Sequence, residues 1–213
     1  MKIAIFQFRM FGINTYIVYD PDTLECAIID PGMSSPSEEH VIDNFILKNN
    51  LKLKFIINTH LHIDHVVGNK FIQDKYNIPV LAHADEEILG KAIKSQASMF
   101  GLSKQYNNVE ITQPLSIGET IKIGNGELKV ISVAGHSPGG IALYDKKDGF
   151  VIVGDALFQN SIGRTDLYGG DLDKLLKNIR ENLFSLPDET IVFAGHGPST
   201  TIGEEKLYNP YLR

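Results

Sequence analysis

The sequence predicts an α/β protein in which two β-sheets pack face to face with helices on the outside. Three observations carry this expectation. Each half of the 213 residues contains several short apolar segments of strand length. Amphipathic, well-capped helical segments lie among them. No Pro/Ser/Gly-rich stretch and no shift of composition separates the halves, so residues 1–213 are expected to form a single domain.

The elements follow in order. Lys2–Phe8, Thr15–Tyr19 and Glu25–Asp30 are predicted strands, and the Pro and Asp of the DPDT segment between the second and third favour chain reversal. Cys26 lies in the apolar run Leu24–Ile29 and is expected to be a small buried hydrophobe. Ser35 as cap, Pro36 at the first helical position and Glu38 three residues after the cap open a helix, along which Val41, Ile42, Phe45 and Ile46 keep helical spacing. Lys54–Asn58 is a short strand, Asn69–Tyr76 a helix, Pro79–Ala82 a strand and Asp85–Lys94 a helix. Ser95–Gln113 has a weak pattern and is expected to be a lid or binding loop, with Met99 and Phe100 either at a pocket mouth or in the core. Ile121–Ile123, Glu127–Val133, Ile141–Asp145 and Phe150–Val153 are strands. Leu172, Leu175, Leu176, Ile179 and Leu183 then mark one face of a helix, and Thr190–Phe193 is the last strand.

Composition excludes several function classes. With 20 Lys+Arg against 26 Asp+Glu the net charge is −6, so the chain lacks the basic footprint of a nucleic-acid or anionic-membrane binder. One cysteine permits no internal disulfide and fits a reducing, cytoplasmic compartment. The opening MKIAIFQFRMFG is not expected to be a signal peptide, and no apolar run approaches the ~18–20 residues that span a bilayer.

The histidines carry the chemistry. INTHLHIDHVVGN places His60, His62, Asp64 and His65 within six residues, just past an apolar strand. Extended backbone turns His60 and His62 the same way, and Asp64 and His65 follow as the chain enters a helix. His136 in VAGHSPGG, Asp155 in VIVGDALF and His196 in IVFAGHGPST each follow a predicted strand and stand beside glycine, which lets the backbone come close to a ligand. Five of the seven histidines obey this pattern; His40 and His83 fall outside it. Imidazoles and carboxylates without thiolate suit zinc, iron or manganese, and a two-metal site is expected.

THLHIDH, GHSPGG, GDALF and AGHGPST, in this order, resemble the metallo-β-lactamase superfamily over essentially the whole chain. The resemblance implies an αββα sandwich of two mixed sheets. By motif it implies that His60, His62 and His136 hold one metal, that Asp64, His65 and His196 hold a second, and that Asp155 bridges them. No cysteine stands near a motif, unlike many true lactamases, which points away from antibiotic hydrolysis. SIGRTDLYGGD and the ending GHGPSTTIGEEKLYNPYLR are most similar to glyoxalase II-like hydrolases of the short form, without the C-terminal helical domain that grips glutathione.

The implied reaction is thioester hydrolysis of an S-lactoylglutathione-like substrate. Hydroxide held between two divalent ions, zinc first among the candidates, attacks the carbonyl, with Asp64 and Asp155 as the catalytic carboxylates. Two divalent cations less Asp64, Asp155 and one hydroxide leave roughly +1 in the pocket, which favours a small anionic substrate. Arg164 is a candidate carboxylate clamp, or else a structural partner of Asp166 or Asp171; Tyr168 is a second candidate contact. Asp30, in IIDPG, is expected to orient a ligand histidine. The alternatives are an iron persulfide dioxygenase, using His60, His136 and Asp155 with the shared GRTD feature, and a lactone or phosphodiester hydrolase.

Overall fold

The computed structural model describes residues 1–102 and 106–213. Strands β1 (Lys2–Gln7), β2 (Asn14–Tyr19) and β3 (Glu25–Ile29) lead into helix α1 (Pro36–Lys48) and strand β4 (Lys52–Ile57). The short helices α2 (Ile63–Val66) and α3 (Asn69–Tyr76), strand β5 (Val80–His83), helices α4 (Glu87–Lys91) and α5 (Ile93–Met99) and strand β6 (Gln113–Leu115) complete the first half. Strands β7 (Thr120–Ile123), β8 (Gly126–Ser132), β9 (Ile141–Asp145) and β10 (Phe150–Gly154) follow, with a small hairpin of β11 (Leu157–Phe158) and β12 (Ser161–Ile162). Helix α6 (Leu172–Asn178), strands β13 (Ile191–Ala194) and β14 (Thr200–Thr201) and helix α7 (Ile202–Tyr208) end the chain.

The strands form two mixed six-stranded sheets, ordered β1-β2-β3-β4-β5-β6 and β14-β13-β10-β9-β8-β7. In the first, β3, β4, β5 and β6 run parallel; in the second, only β10 and β13 do among the pairs. Side-chain alternation explains the continuous apolar runs. Tyr16, Val18, Ala27 and Ile29 meet Ile123, Val130, Leu143 and Ile152 between the sheets. Ile17, Cys26 and Ile28 turn the other way onto Ile42, Ile46 and Ile72 of the helices. Val151, Val153 and Val192 do the same against Leu175, Ile179, Leu183 and Ile202. This is the expected αββα sandwich.

Several elements differ from expectation. The predicted helix over 85–94 is divided at Ala92, and a second helix, α5, continues into the segment expected to be a loop. Residues 95–99 of that segment are helical and 113 begins β6, while 103–105 lie outside the described residues. The helix from Leu172 leaves that residue exposed, buries Leu175, Ile179 and Leu183, and ends in a π-turn over Ile179–Leu183. Residues four apart drift around a 3.6-residue helix, and the wider i→i+5 turn keeps them on one face. Ser35 accepts from Glu38 N as the capping box requires, but Glu38 reaches Ser34 N and Arg9 N instead of Ser35. No described helix is long and apolar enough to cross a membrane.

Candidate metal centre

The residues singled out by motif converge at one end of the sandwich, on loops that leave both sheets. His60 and His62 follow β4, Asp64 and His65 lie in α2, His136 follows β8, Asp155 follows β10 and His196 follows β13. Their donor atoms form three overlapping groups, His60–His62–His136, His60–His65–Asp155 and Asp64–His65–His196, each within 4.8 Å. Asp155 faces both ends of the cluster: Oδ1 lies 3.3 Å from His65 Nε2, and Oδ2 lies 3.8 Å from His136 Nε2 and 3.5 Å from His196 Nε2. Asp64 Oδ2 is 3.1 Å from His196 Nε2.

Neutral imidazole carries one N–H, so the outer partner of each ring decides which nitrogen is left bare inside. His65 Nδ1 donates to Asp30 Oδ2 at 2.9 Å, the orienting contact expected of Asp30. Thr59 Oγ1 donates to the same carboxylate at 2.6 Å and accepts from His60 Nδ1 at 3.1 Å. His136 Nδ1 donates to the Arg164 carbonyl at 2.7 Å, and His196 Nδ1 to the Phe11 carbonyl at 3.1 Å. These four histidines therefore present Nε2 inward. His62 instead turns Nδ1 toward His136 Nε2, 2.9 Å away.

The donor set fits metal. The buried His60 Nε2, His65 Nε2 and Asp155 Oδ1 have no hydrogen-bond partner among the described residues. Buried polar atoms are costly when unpaired, and a cation would satisfy all three. Burial holds His60 well below the ordinary imidazole value, and burial together with His136 pushes His62 down to about 3. Burial would raise Asp155, but His65, His196 and His136 outweigh it and keep its carboxyl low. His60 and His62 thus offer bare nitrogens beside an ionised carboxylate, while Asp155, Asp64 and Asp30 draw His65 well above the ordinary imidazole value against the opposing effect of its burial. Backbone closeness is equally specific: a Cβ at Gly195 would lie 2.2 Å from Asp155 Oδ1 and 2.7 Å from His65 Cε1.

Polar residues that sequence reasoning missed hold these loops. Glu86, fully buried, accepts from Leu61 N at 2.8 Å and Gly139 N at 2.7 Å, joining the loop of His60 and His62 to that of His136. Gln96 accepts from Ile63 N at 2.9 Å and donates to the Leu61 carbonyl at 3.1 Å. Asn14 and Tyr16 donate to the Ala194 carbonyl, fixing the approach to His196. The sequence carries no signal for them: that Glu86 and Gln96 are buried, where such residues need partners, emerges only from the fold.

A cavity of about 180 Å³ opens over the donors, lined by His62, Asp64, His136 and Asp155 together with Phe11, Phe100, Arg164 and Leu167. Arg164 makes a two-pronged ion pair with Asp166, at 2.6 and 2.7 Å. Tyr168 is 62% exposed and Met99 72% exposed, and neither lines the cavity. His40 and His83 belong to none of the donor groups.

The family model of the metallo-β-lactamase superfamily matches residues 9–196. "Probable metallo-hydrolase YqgX" of Bacillus subtilis is 38% identical, covering 93% of this chain and 92% of that protein. "Hydroxyacylglutathione hydrolase GloC" of Haemophilus influenzae is 34% identical, covering 100% and 98%. Among solved structures, the BLEG-1 B3 metallo-β-lactamase superposes with a TM-score of 0.89 at 33% identity, covering 99% of both chains. TTHA1623 in a di-iron-bound form superposes at 0.86 and 32%, covering 98% of this chain and 100% of that one. The chain belongs to the metallo-β-lactamase superfamily. Within it, the protein is a metal-dependent hydrolase.

Proposed function

We propose that the protein hydrolyses small anionic thioesters of the S-lactoylglutathione type at a binuclear metal centre. The observation that carries this reading is the pair of donor groups at either end of the cluster with Asp155 between them. In this assignment His60, His62 and His136 hold one ion, Asp64, His65 and His196 the other, and Asp155 joins them. The likeness to GloC supplies the thioester. Zinc is our first choice of metal, with iron, given the di-iron form of TTHA1623, and manganese as the alternatives. A cytoplasmic location belongs to the same reading, supported by a single, buried cysteine.

When bound, two divalent ions polarise a carbonyl and lower the pKa of water toward ~7. The chain's own residues do the rest. Asp155 keeps its carboxylate ionised between the two histidine groups. Asp64 lines the cavity, its Oδ2 beside His196, and its carboxylate accepts a hydrogen bond from the attacking water and orients it. Water adds to the acyl carbon, the C–S bond breaks, and the departing sulfur takes up the proton that water releases. Arg164, paired with Asp166 at the mouth, serves an anionic substrate by exchanging that partner for a substrate carboxylate, and Tyr168, exposed and not part of the cavity lining, is assigned to contacts with the thiol portion.

The deciding experiment measures metal content per chain, then follows S-lactoylglutathione hydrolysis, glutathione-persulfide-dependent O₂ uptake and nitrocefin turnover on the same preparation. Two metals per chain with thioester cleavage dominating are expected. One iron per chain with O₂ uptake and no thioester cleavage would overturn the proposal in favour of a dioxygenase, and dominant nitrocefin turnover would overturn it in favour of a lactamase. Asp155→Ala should abolish hydrolysis while circular dichroism stays native; full activity in that variant would refute the bridging role.

A further inference from the structure

One side of the cavity mouth is apolar. Phe11 and Phe100 stand with ring centroids 5.4 Å apart, 53% and 39% exposed, and both line the cavity over the metal donors with the half-buried Leu167. Two adjoining exposed aromatic rings contribute little to a core, and apolar walls around a few fixed polar groups are the composition of a ligand site.

The hairpin carrying Phe11 is built to hold the ring there. Phe11 has φ +53°, a left-handed conformation that is uncommon for a bulky residue, and Gly12 follows at +72°. The turn is closed by Phe8 N to the Ile13 carbonyl at 2.9 Å and Ile13 N to the Met10 carbonyl at 3.2 Å. Phe8 and Ile13 are buried on either side of it, and the Phe11 carbonyl is itself anchored by His196. Strained conformations of this kind persist where the surroundings over-determine them and cluster at ligand sites. Size narrows the occupant. The cavity of about 180 Å³ is smaller than the roughly 300–1,000 Å³ that enclose a whole ligand, so it admits the reacting end of a substrate and leaves the remainder outside.

We propose that Phe11, Phe100 and Leu167 form a subsite for an aryl or branched-alkyl group on the acyl side of the substrate, beside the carbonyl to which water adds. The inference rests on the hydrolase reading above and deepens it: the preferred acyl group is apolar and larger than lactoyl.

Two measurements separate this inference from the reading beneath it. The first is calorimetric binding of phenylacetate and acetate, the carboxylate products of the corresponding thioesters, to the metal-loaded protein. Phenylacetate should bind at least about tenfold more tightly. Phe11→Ala and Phe100→Ala should each remove most of that preference, and Met99→Ala should leave it in place. Equal binding of the two carboxylates, or alanine variants that weaken both equally with metal content retained, would overturn the subsite. The second compares kcat/KM for phenylacetyl and acetyl thioesters of N-acetylcysteamine, which share one thiol. A preference for phenylacetyl that falls about tenfold in the Phe11 and Phe100 variants supports the proposal, and equal turnover overturns its acyl-side placement. Discrimination in binding with no thioester cleavage would retain the subsite and remove the thioesterase reading instead.

Discussion

At the residue scale, the clustered histidines were legible because five of them, with two aspartates, stand at or just past strand ends in a spacing that few structural roles produce. What orients them was mostly illegible. Asp30 could be anticipated, but the Arg164 and Phe11 carbonyls could not, because every residue has a carbonyl and no side chain advertises its use. Glu86 was hidden for a related reason: its partners are the backbone N–H groups of Leu61 and Gly139, distant in sequence from each other. Its two carboxylate oxygens each take one of these donors. Glu86→Gln keeps the shape but supplies one acceptor in place of two, leaving a buried N–H unpaired at a cost of about 1–3 kcal/mol. Urea unfolding should register that loss. Competition with a chelator should also show metal affinity falling on the order of tenfold or more, the range seen when partners of metal ligands are removed. Lost stability with unchanged metal affinity would make Glu86 a structural residue only.

At the element scale, caps and alternation were readable and tertiary support was not. Helix α1 was visible from Ser35, Pro36 and its apolar spacing, whereas α5 has small and polar residues and depends on Gln96, whose side chain bonds the ligand loop at Ile63 and Leu61. β14 escaped because Thr200–Thr201 is too short to carry a period. Helices α1 and α3 are joined by Asp43, which accepts from the Lys75 ammonium and the Tyr76 hydroxyl, each at 2.7 Å. The Lys75 hydrogen bond, with Tyr76, holds the Asp43 carboxyl below its ordinary value of 3.8 against the opposing effect of burial. A carboxyl lowered by folding stabilises fully above its unfolded value and loses that contribution as pH falls through the folded one. Asp43→Asn should therefore be less stable than the parent at pH 7, and the difference should shrink as pH drops below about 3.8. Thermal melting of both proteins across that range tests it; a gap that stays constant would remove the ion pair as its source.

At the scale of the whole molecule, the sandwich brings loops from both sheets to one end, so a bound metal ties the two halves together. β4 in the first sheet leads to His60, His62, Asp64 and His65; β8, β10 and β13 in the second lead to His136, Asp155 and His196. The two-sheet architecture was legible from the even distribution of apolar strands, while the order of strands within each sheet was not, since parallel pairing across long connections leaves no local signal. A ligand that binds only the folded state stabilises it by about 2.7 kcal/mol at one hundred times Kd. For a chain of this length that corresponds to roughly 5–11 °C in Tm. Scanning calorimetry with zinc and then with chelator should show a single transition that moves by that order. A Tm indifferent to chelator would rule out metal as a clamp between the sheets.

The carbonyls that hold His136 and His196 belong to Arg164 and Phe11, residues whose side chains line the cavity mouth. Mutation replaces a side chain and leaves its carbonyl in place. Substitution at positions 11 and 164 can therefore reshape the lining of the cavity while the imidazoles their carbonyls steady keep their aim.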